Sequence, residues 1–406
     1  MKIFSYFFRA GLFRLVGRLL TIATVLLILL AVIGHTVRDR TVELALLMYI
    51  PLLPLGLWAI LLDGLQAGRS WPSFRFSLTF IGLGLMSWGG LSMLGTGGAE
   101  TDLGPSTKVS VLHWNVYWGG RKNSWKSSIS QDIMRHNPDI AILSETPSKY
   151  RLNFLLKPMG WSTIMYEETR GNPLAVCSSW PLRFERYVKI RGADAMTVIV
   201  TVHGQPLRVL AVDGGRNMSK KFQVLSKQVL PRWRVPMLTD IVQTIEAYHA
   251  KGQPVDIIAG DFNAISRSIG FDRFADAGGG YYLASKFSWN WRGTWKSYLP
   301  LYDIDHVWIH KRFQGLRAEL FTNPMSDHYG QLVQFQLVGV QSFSFGTVNY
   351  KDSLIDTDNN YKDSLIDTDK DVGVQSFSFG TVNYKDSLID TDKDVVVISF
   401  SFGTVN

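Results

Sequence analysis

Acidic and amide side chains close several short apolar segments of this 406-residue chain. In the clearest segment, AGDFNA, Asp261 and Asn263 follow a purely apolar run. Asn115 and Glu145 close two earlier apolar segments in the same way, and Asp327 precedes a later one. Carboxylate and carboxamide oxygens gathered at strand ends can bind a hard divalent cation such as Mg²⁺, which favours oxygen ligands. These residue types therefore predict an oxygen-rich cation site at the ends of β-strands.

Two of the segments, IDHVW and SDH, combine aspartate with histidine and contribute Asp305 and His328. Asp and Asn also end strands through turn chemistry, so a single segment of this kind favours a turn and a site about equally. The alternatives are that Asp305 caps a strand end and that His328 is a packed core histidine. Five segments in this order favour a site, whereas we interpret Asp303 and His306 as structural.

The elements that must position these side chains are short strands with a few helices. Runs rich in β-branched and apolar residues predict strands at residues 108–116, 139–145, 197–203, 207–213, 255–263, 303–309 and 330–337. Helical spacing of apolar residues predicts helices at 128–139 and 235–252. Because strands outnumber helices, we expect an α/β domain in which sheets pack as a sandwich with helices outside.

The order and separation of these segments resemble the endonuclease/exonuclease/phosphatase superfamily, the deoxyribonuclease-I-like fold. The resemblance rests on Asn115, Glu145 and the segments GDFNA, IDHVW and SDH, and it covers residues 108–338. It implies a four-layered α/β sandwich of two β-sheets flanked by helices. It also implies a Mg²⁺- or Mn²⁺-dependent hydrolase that cuts phosphoester bonds by in-line attack of water.

The resemblance assigns a role to each side chain. Glu145 corresponds to the principal metal ligand, with Asn115 and Asp327 completing the metal site. The other four correspond to catalytic residues, and each has a distinct task. Asp261 orients or deprotonates the attacking water, Asn263 donates a hydrogen bond to a phosphate oxygen, His328 faces the phosphoryl group, and Asp305 accepts the other N–H of His328. A carboxylate behind the ring fixes the tautomer and supports the imidazolium.

The chain departs from the family pattern at the end of the segment LRVLAVD. Many members carry a histidine where this chain has Asp213, and a carboxyl group donates no proton near neutral pH unless its pKa is raised. Asp213 could instead bind metal, or Arg216 could contact phosphate. A further segment, SWNWRGTW, places Trp291 beside Arg292. It could form a platform for stacked bases or lipid, but we favour the alternative of a surface loop packed on the sandwich.

Residues 1–100 contain three apolar runs, at about 19–38, 42–62 and 76–98. A spanning helix needs about 20 predominantly apolar residues, so we predict three transmembrane helices, with a signal peptide as the alternative for the first run. Six basic residues either precede the first run or lie between the second and third runs, whereas two lie between the first and second runs. By the positive-inside rule, this count predicts a multi-pass protein of the cell membrane whose later domain is extracytoplasmic.

The remaining segments are interpreted as connections and extensions. Residues 101–107 predict a flexible linker, and the repeats within 339–406 predict a low-complexity tail without a catalytic role. The single cysteine excludes an intramolecular disulfide. A net charge of +8 suits an anionic partner such as phosphate, nucleic acid or lipid headgroups.

Three functions fit these observations. The first is a membrane-tethered phosphoesterase whose partners are the lipid bilayer and a lipid-linked or small phosphate substrate. Its organisation resembles the membrane phosphatases linked to glycopeptide resistance, which act on a polyprenyl pyrophosphate carrier. The second is an extracytoplasmic nuclease, and the third is a catalytically inactive module of the same fold that binds phosphate or nucleic acid. No protein partner is predicted.

Overall fold

Two six-stranded sheets form the centre of the molecule, a computed structural model that describes residues 2–66, 76–97, 108–119, 125–166, 173–215 and 233–337. All of these residues belong to one compact unit, Met1–Ser344. The predicted linker at 101–107, the tail at 339–406 and Arg216 lie outside the described residues.

The first sheet has the strand order β11-β12-β1-β2-β4-β3. Its strands are β1 (Lys108–Asn115), β2 (Ile140–Ser144), β3 (Ser162–Tyr166), β4 (Leu174–Ser178), β11 (Gln314–Phe321) and β12 (Gly330–Gln336). Strand β1 pairs parallel with β2 and antiparallel with β12. Helices α5 (Trp125–His136) and α6 (Lys149–Leu156) cover its outer face, where Ile133 and Leu152 pack against Leu112 and Leu143.

The second sheet has the order β5-β6-β7-β8-β10-β9. Its strands are β5 (Leu182–Tyr187), β6 (Asp194–Val202), β7 (Gln205–Asp213), β8 (Ile257–Asp261), β9 (Tyr281–Leu283) and β10 (Asp305–His310). Helix α7 (Val235–His249) covers the outer face through Ile241 and Ile245. The structure therefore has the predicted layers, two sheets flanked by helices.

The main core lies between the two sheets. Val109 and Val111 of β1 enter this core together with Val209 of β7 and Val307 of β10. The alternate residues of β1, such as Leu112, are buried on the opposite face instead. Because both faces of the central strands are covered, these strands read as nearly continuous apolar runs that end abruptly in polar residues.

The N-terminal helical region differs from three continuous spans. It contains α1 (Lys2–Val37), α2 (Val42–Met48), α3 (Leu52–Gln66) and α4 (Ser77–Met93). The second predicted span is broken into α2 and α3, which meet at a 58° bend near Pro51. Proline lacks the N–H needed to continue a helix, so the break follows from the sequence.

The structure supports only part of the predicted transmembrane region, by length and composition. In the described part of the chain, one helical stretch, Leu15–Val37, is long and apolar enough to cross a membrane, with mean hydropathy 2.6. The bent pair passes the same test if it crosses as one span, whereas α4 is a shorter apolar helix. Helices α3 and α4 approach closely at two glycines, since a Cβ on Gly56 would lie 2.5 Å from the carbonyl oxygen of Gly82.

Candidate active site

Aspartates from four adjacent strands of the second sheet occupy one line of its register. Asp194 pairs with Asp213, Asp213 with Asp261, and Asp261 with Asp305. Residues opposite each other on neighbouring strands point to the same face, with Cβ atoms about 5 Å apart. Four carboxyl groups are therefore brought to one edge of the sandwich, where electrostatic repulsion favours a compensating cation.

Asp261 is buried at the end of β8 and accepts two hydrogen bonds. The backbone N–H of Asn263 donates to Oδ1 at 2.9 Å, and Asn115 Nδ2 donates to Oδ2 at 3.0 Å. The orientation of the Asn115 amide is fixed because its Oδ1 accepts the backbone N–H of Tyr117, which can only donate. Asn115 therefore holds Asp261 in place and keeps acceptor capacity on Oδ1 for the metal-ligand role that we predict.

Burial and the neighbouring charge of Asp305 raise the pKa of Asp261 to about 6, and Glu145 acts in the same direction. A carboxylate with such a pKa is ionised at neutral pH but is a stronger base than an exposed aspartate. This is the property required of a group that accepts a proton from water.

His328 and Asp305 form a buried hydrogen-bonded pair. His328 Nδ1 lies 2.8 Å from Asp305 Oδ2. Burial alone would lower the pKa of His328, but the adjacent Asp305 outweighs it and raises that pKa, so the ring is held as the imidazolium. Burial alone would raise the pKa of Asp305, but His328 and His113 hold it well below its usual range.

His113 is a site residue that the sequence analysis missed. Its Nε2 lies 3.3 Å from Asp305 Oδ1, and its Nδ1 lies 3.0 Å from the carbonyl oxygen of Ile142. Both oxygens of Asp305 therefore face a histidine ring. The available signal was the two-residue spacing from Asn115 on β1, since alternate residues of a strand share a face.

Glu145 and Asp327 lie on the loops that follow β2 and precede β12. Glu145 is 4% exposed and has a left-handed backbone with φ +48°, and its carbonyl oxygen accepts the backbone N–H of Trp118. Asp327 Oδ2 accepts Trp295 Nε1 at 3.3 Å, and its Oδ1 lies 3.9 Å from His328 Nε2. Asp327 therefore adds a second carboxylate beside the imidazolium, and its predicted ligand role stays a prediction.

The donor set fits a hard divalent cation. Asp261, Asp305 and His328 each offer an atom within 4.8 Å of the others. An imidazolium has no lone pair for a metal, and Asp305 is occupied by two histidine rings. The carboxylates of Asp261 and Glu145 and the amide oxygen of Asn115 remain, which is an oxygen set of the kind Mg²⁺ and Mn²⁺ accept.

Of the predicted substrate-binding residues that the structure describes, Asp213 lies in the row of aspartates, whereas Trp291 and Arg292 lie on a loop outside it. Asp213 is buried in the carboxylate row, where its Oδ1 accepts the backbone N–H of Gly215 at 2.8 Å. Arg292 is also buried, and its guanidinium contacts Asp303 and Ser266, both at 2.7 Å. Trp291 is half-buried and donates to the carbonyl oxygen of Pro300. Arg292 thus lies in a buried ion pair, as expected for the packed loop and not for an exposed platform, and a substrate role for these residues stays a prediction.

Residues 112–328, more than half of the chain, match the sequence profile of the Endonuclease/Exonuclease/phosphatase family. The chain belongs to this family. Members of the superfamily are hydrolases that act on phosphoester bonds and generally depend on a divalent metal. No curated protein sequence matches the chain.

Several solved structures are similar at low sequence identity. The catalytic domain of human nocturnin with bound sulfate is 18% identical, with a TM-score of 0.43 over 57% of this chain and 93% of that chain. TDP2 from Caenorhabditis elegans is 13% identical, with a TM-score of 0.44 over 74% and 94%. A mannosyl-6-phosphatase of Bacteroides thetaiotaomicron is 13% identical, with a TM-score of 0.41 over 56% and 99%.

Proposed function

We propose that this chain is a membrane-tethered, divalent-metal-dependent phosphoesterase that hydrolyses phosphate ester or phosphodiester bonds with activated water. The observation that carries the proposal is the buried cluster of Asp261 with the His328–Asp305 pair. This cluster combines a base of raised pKa with a fixed imidazolium. Family membership supports the reaction class, and the apolar stretch Leu15–Val37 supports tethering.

In this mechanism Glu145 and Asn115 would hold the cation, Mg²⁺ or Mn²⁺, beside Asp261. When bound, the cation would neutralise charge on the phosphoryl oxygens. Asp261 accepts a proton from the attacking water, whose oxygen bonds to phosphorus as the bond to the leaving group breaks on the opposite side. His328, held by Asp305, donates a hydrogen bond to a phosphoryl oxygen, and Asn263 donates a second one.

Asp213 narrows the proposed substrate. The family resemblance implies a histidine at this position, whereas the carboxyl group of Asp213 donates no proton to a leaving group near neutral pH unless its pKa is raised. We therefore expect the fastest turnover with leaving groups that are stable as anions, such as the phosphate released from a pyrophosphate. A nuclease is the second candidate, favoured by the net charge of +8.

The test uses the purified full chain with a lipid pyrophosphate, nucleic acid and a series of aryl phosphodiesters, each with and without chelator. We expect chelator-sensitive hydrolysis that is lost in Asp261→Asn and that depends steeply on leaving-group pKa. Preference for nucleic acid would support the nuclease. Absence of hydrolysis in all three classes, with retained phosphate binding, would overturn the proposal in favour of an inactive binding module.

A further inference from the structure

The helical region contacts the catalytic domain beside the candidate site. We call residues 38–49, which include α2, the junction segment, and residues 261–268 the catalytic loop. Arg38 forms an ion pair with Asp272 at 2.7 Å and donates to the carbonyl oxygens of Arg267 and Ser268 at 2.5 and 2.8 Å. One side chain of the junction segment therefore binds the last two residues of the catalytic loop.

Asp39 extends this contact. It is buried, and its carboxylate accepts Ser268 Oγ at 2.5 Å and the backbone N–H of Ile269 at 2.8 Å. It thus satisfies a donor at the start of the short 3₁₀ helix Ile269–Ala275. The carbonyl oxygen of Asp39 accepts Trp233 Nε1 at 2.7 Å. The far end of the catalytic loop is consequently held through both side-chain and backbone groups.

Tyr49 reaches the other end of the catalytic loop. Its hydroxyl donates to the carbonyl oxygen of Asn263 at 3.3 Å, and Arg234 Nε donates to the same oxygen at 3.3 Å. The adjacent Met48 packs with Ile265 and Ile304 in a small apolar cluster that also contacts Tyr49. This end of the loop therefore rests on a hydrogen bond and on apolar packing.

The backbone of Asn263 lies in the left-handed region, with φ +49°. Asparagine adopts this region more readily than other non-glycine residues, and the contacts of its carbonyl oxygen help to fix it there. The carbonyl oxygen that Tyr49 and Arg234 bind belongs to this residue, and its backbone N–H binds Asp261 Oδ1 at 2.9 Å. The backbone of Asn263 therefore links the hydroxyl of Tyr49 to Asp261, the proposed catalytic base.

We propose that Tyr49 is a positioning residue through which the helical region holds Asn263 and the catalytic loop in the geometry required for hydrolysis. The inference rests on the proposed function and goes beyond it, because it makes the helical region part of the catalytic apparatus as well as an anchor. Tyr49 acts through Asn263 and contacts neither substrate nor cation.

The experiment compares Tyr49→Phe with the wild type, using the full chain in lipid nanodiscs, Mg²⁺ and an aryl phosphodiester. Loss of one hydrogen bond is expected to lower kcat about threefold to tenfold with little change in KM. Thr96→Val is the matched control, because Thr96 Oγ1 joins α4's end to the carbonyl oxygen of Lys286 and does not contact the catalytic loop. We expect wild-type kcat in this control.

A further measurement separates positioning from general destabilisation. Amide hydrogen exchange of the peptide spanning the catalytic loop should accelerate in Tyr49→Phe and not in Thr96→Val, a readout that requires no activity.

The outcomes distinguish this inference from the proposed function. Active wild type with unchanged kcat and unchanged exchange in Tyr49→Phe would overturn the positioning role alone. Hydrolysis that survives in Asp261→Asn would overturn the proposed function, and with it the catalytic part of the inference.

Discussion

The candidate site and the adjacent interface with the helical region differ in how their carboxylates are paired. In the interface, each buried carboxylate meets its own donors: Asp303 faces Arg292, and Asp39 faces Ser268 and Ile269. The exposed Asp272 likewise faces Arg38. The site gathers four carboxylates, Glu145, Asp261, Asp305 and Asp327, around the rings of His113 and His328. Negative charge is matched in the first region and in excess in the second.

This difference distinguishes structural from functional charge. A buried ion pair whose members satisfy each other leaves no attraction for a further ion, although breaking it exposes an uncompensated charge. An excess of buried carboxylates is costly unless protons or a cation reduce it. The raised pKa of Asp261 is one sign of that cost. A cation would remove the cost, which is why the site, and not the interface, fits a metal.

The largest expected effect comes from removing the proposed base. Asp261→Asn should lower kcat about 10²- to 10⁴-fold while the fold survives, because a general base typically contributes that much. Asp240→Asn is the matched control, since Asp240 forms a surface ion pair with Arg191. Steady-state turnover and thermal unfolding of both variants check the prediction. Similar turnover in the two variants would mean that Asp261 is only a strand-end cap.

Breaking a matched pair should affect stability without affecting chemistry. Arg292→Met leaves Asp303 buried without its cation, and removing one partner of a buried pair costs about 3–5 kcal/mol. Denaturant unfolding of the full chain should show this loss, while kcat per folded molecule stays near wild type. A further substitution, Asp303→Leu, should recover much of the stability. A large fall in kcat would instead support the predicted contact of Arg292 with substrate.

Removing one of the site's excess carboxylates should weaken the binding of the cation. Glu145→Gln keeps the shape of the side chain but removes its charge. We expect Mg²⁺ affinity to fall by about 100-fold or more, because residues that only support a metal ligand already contribute about 10- to 100-fold. Calorimetric titration with Mg²⁺ measures it directly. Glu185→Gln is the control, because Glu185 is paired with Arg208. Equal affinities in the two variants would show that the cation lies elsewhere.

The strand ends that build the site were predictable because they depend on local pattern. Apolar runs ending in Asn115, Glu145 and Asp261 give both the strand and its terminal polar residue, and the predicted strands at these places agree with β1, β2 and β8. Strand β5 was missed because this edge strand, LRFERY, is little buried and has no β-branched residue. Strand β9 is only three residues long, and the five-residue apolar strand β4 was also missed.

Contacts between distant segments could not be predicted. Tyr49 and Asn263 lie 214 residues apart in sequence, and nothing local in MYIPL indicates that the tyrosine meets the catalytic loop. His113 reads as an interior strand residue until the two sheets are packed and Asp305 comes within reach. The break at Pro51 was not predicted, although the proline that interrupts the second apolar run is a signal for it.

The smallest effect is the pH dependence of kcat/KM, which tests whether a cation compensates the excess negative charge of the site. Because the pKa of Asp261 is raised to about 6, the carboxylate is lost as pH falls through 6, so kcat/KM at low Mg²⁺ should be about tenfold lower at pH 5 than at pH 7. The raised pKa of His328 keeps its imidazolium through this range, so the profile should stay level above pH 7. A cation beside Asp261 favours its ionised form, and increasing Mg²⁺ should therefore move the acid limb to lower pH.

The control is Asp240→Asn, whose profile should follow the wild type. An acid limb that stays in place at every Mg²⁺ concentration would show that the cation does not compensate Asp261, and a level profile down to pH 5 at low Mg²⁺ would show that Asp261 is not the base.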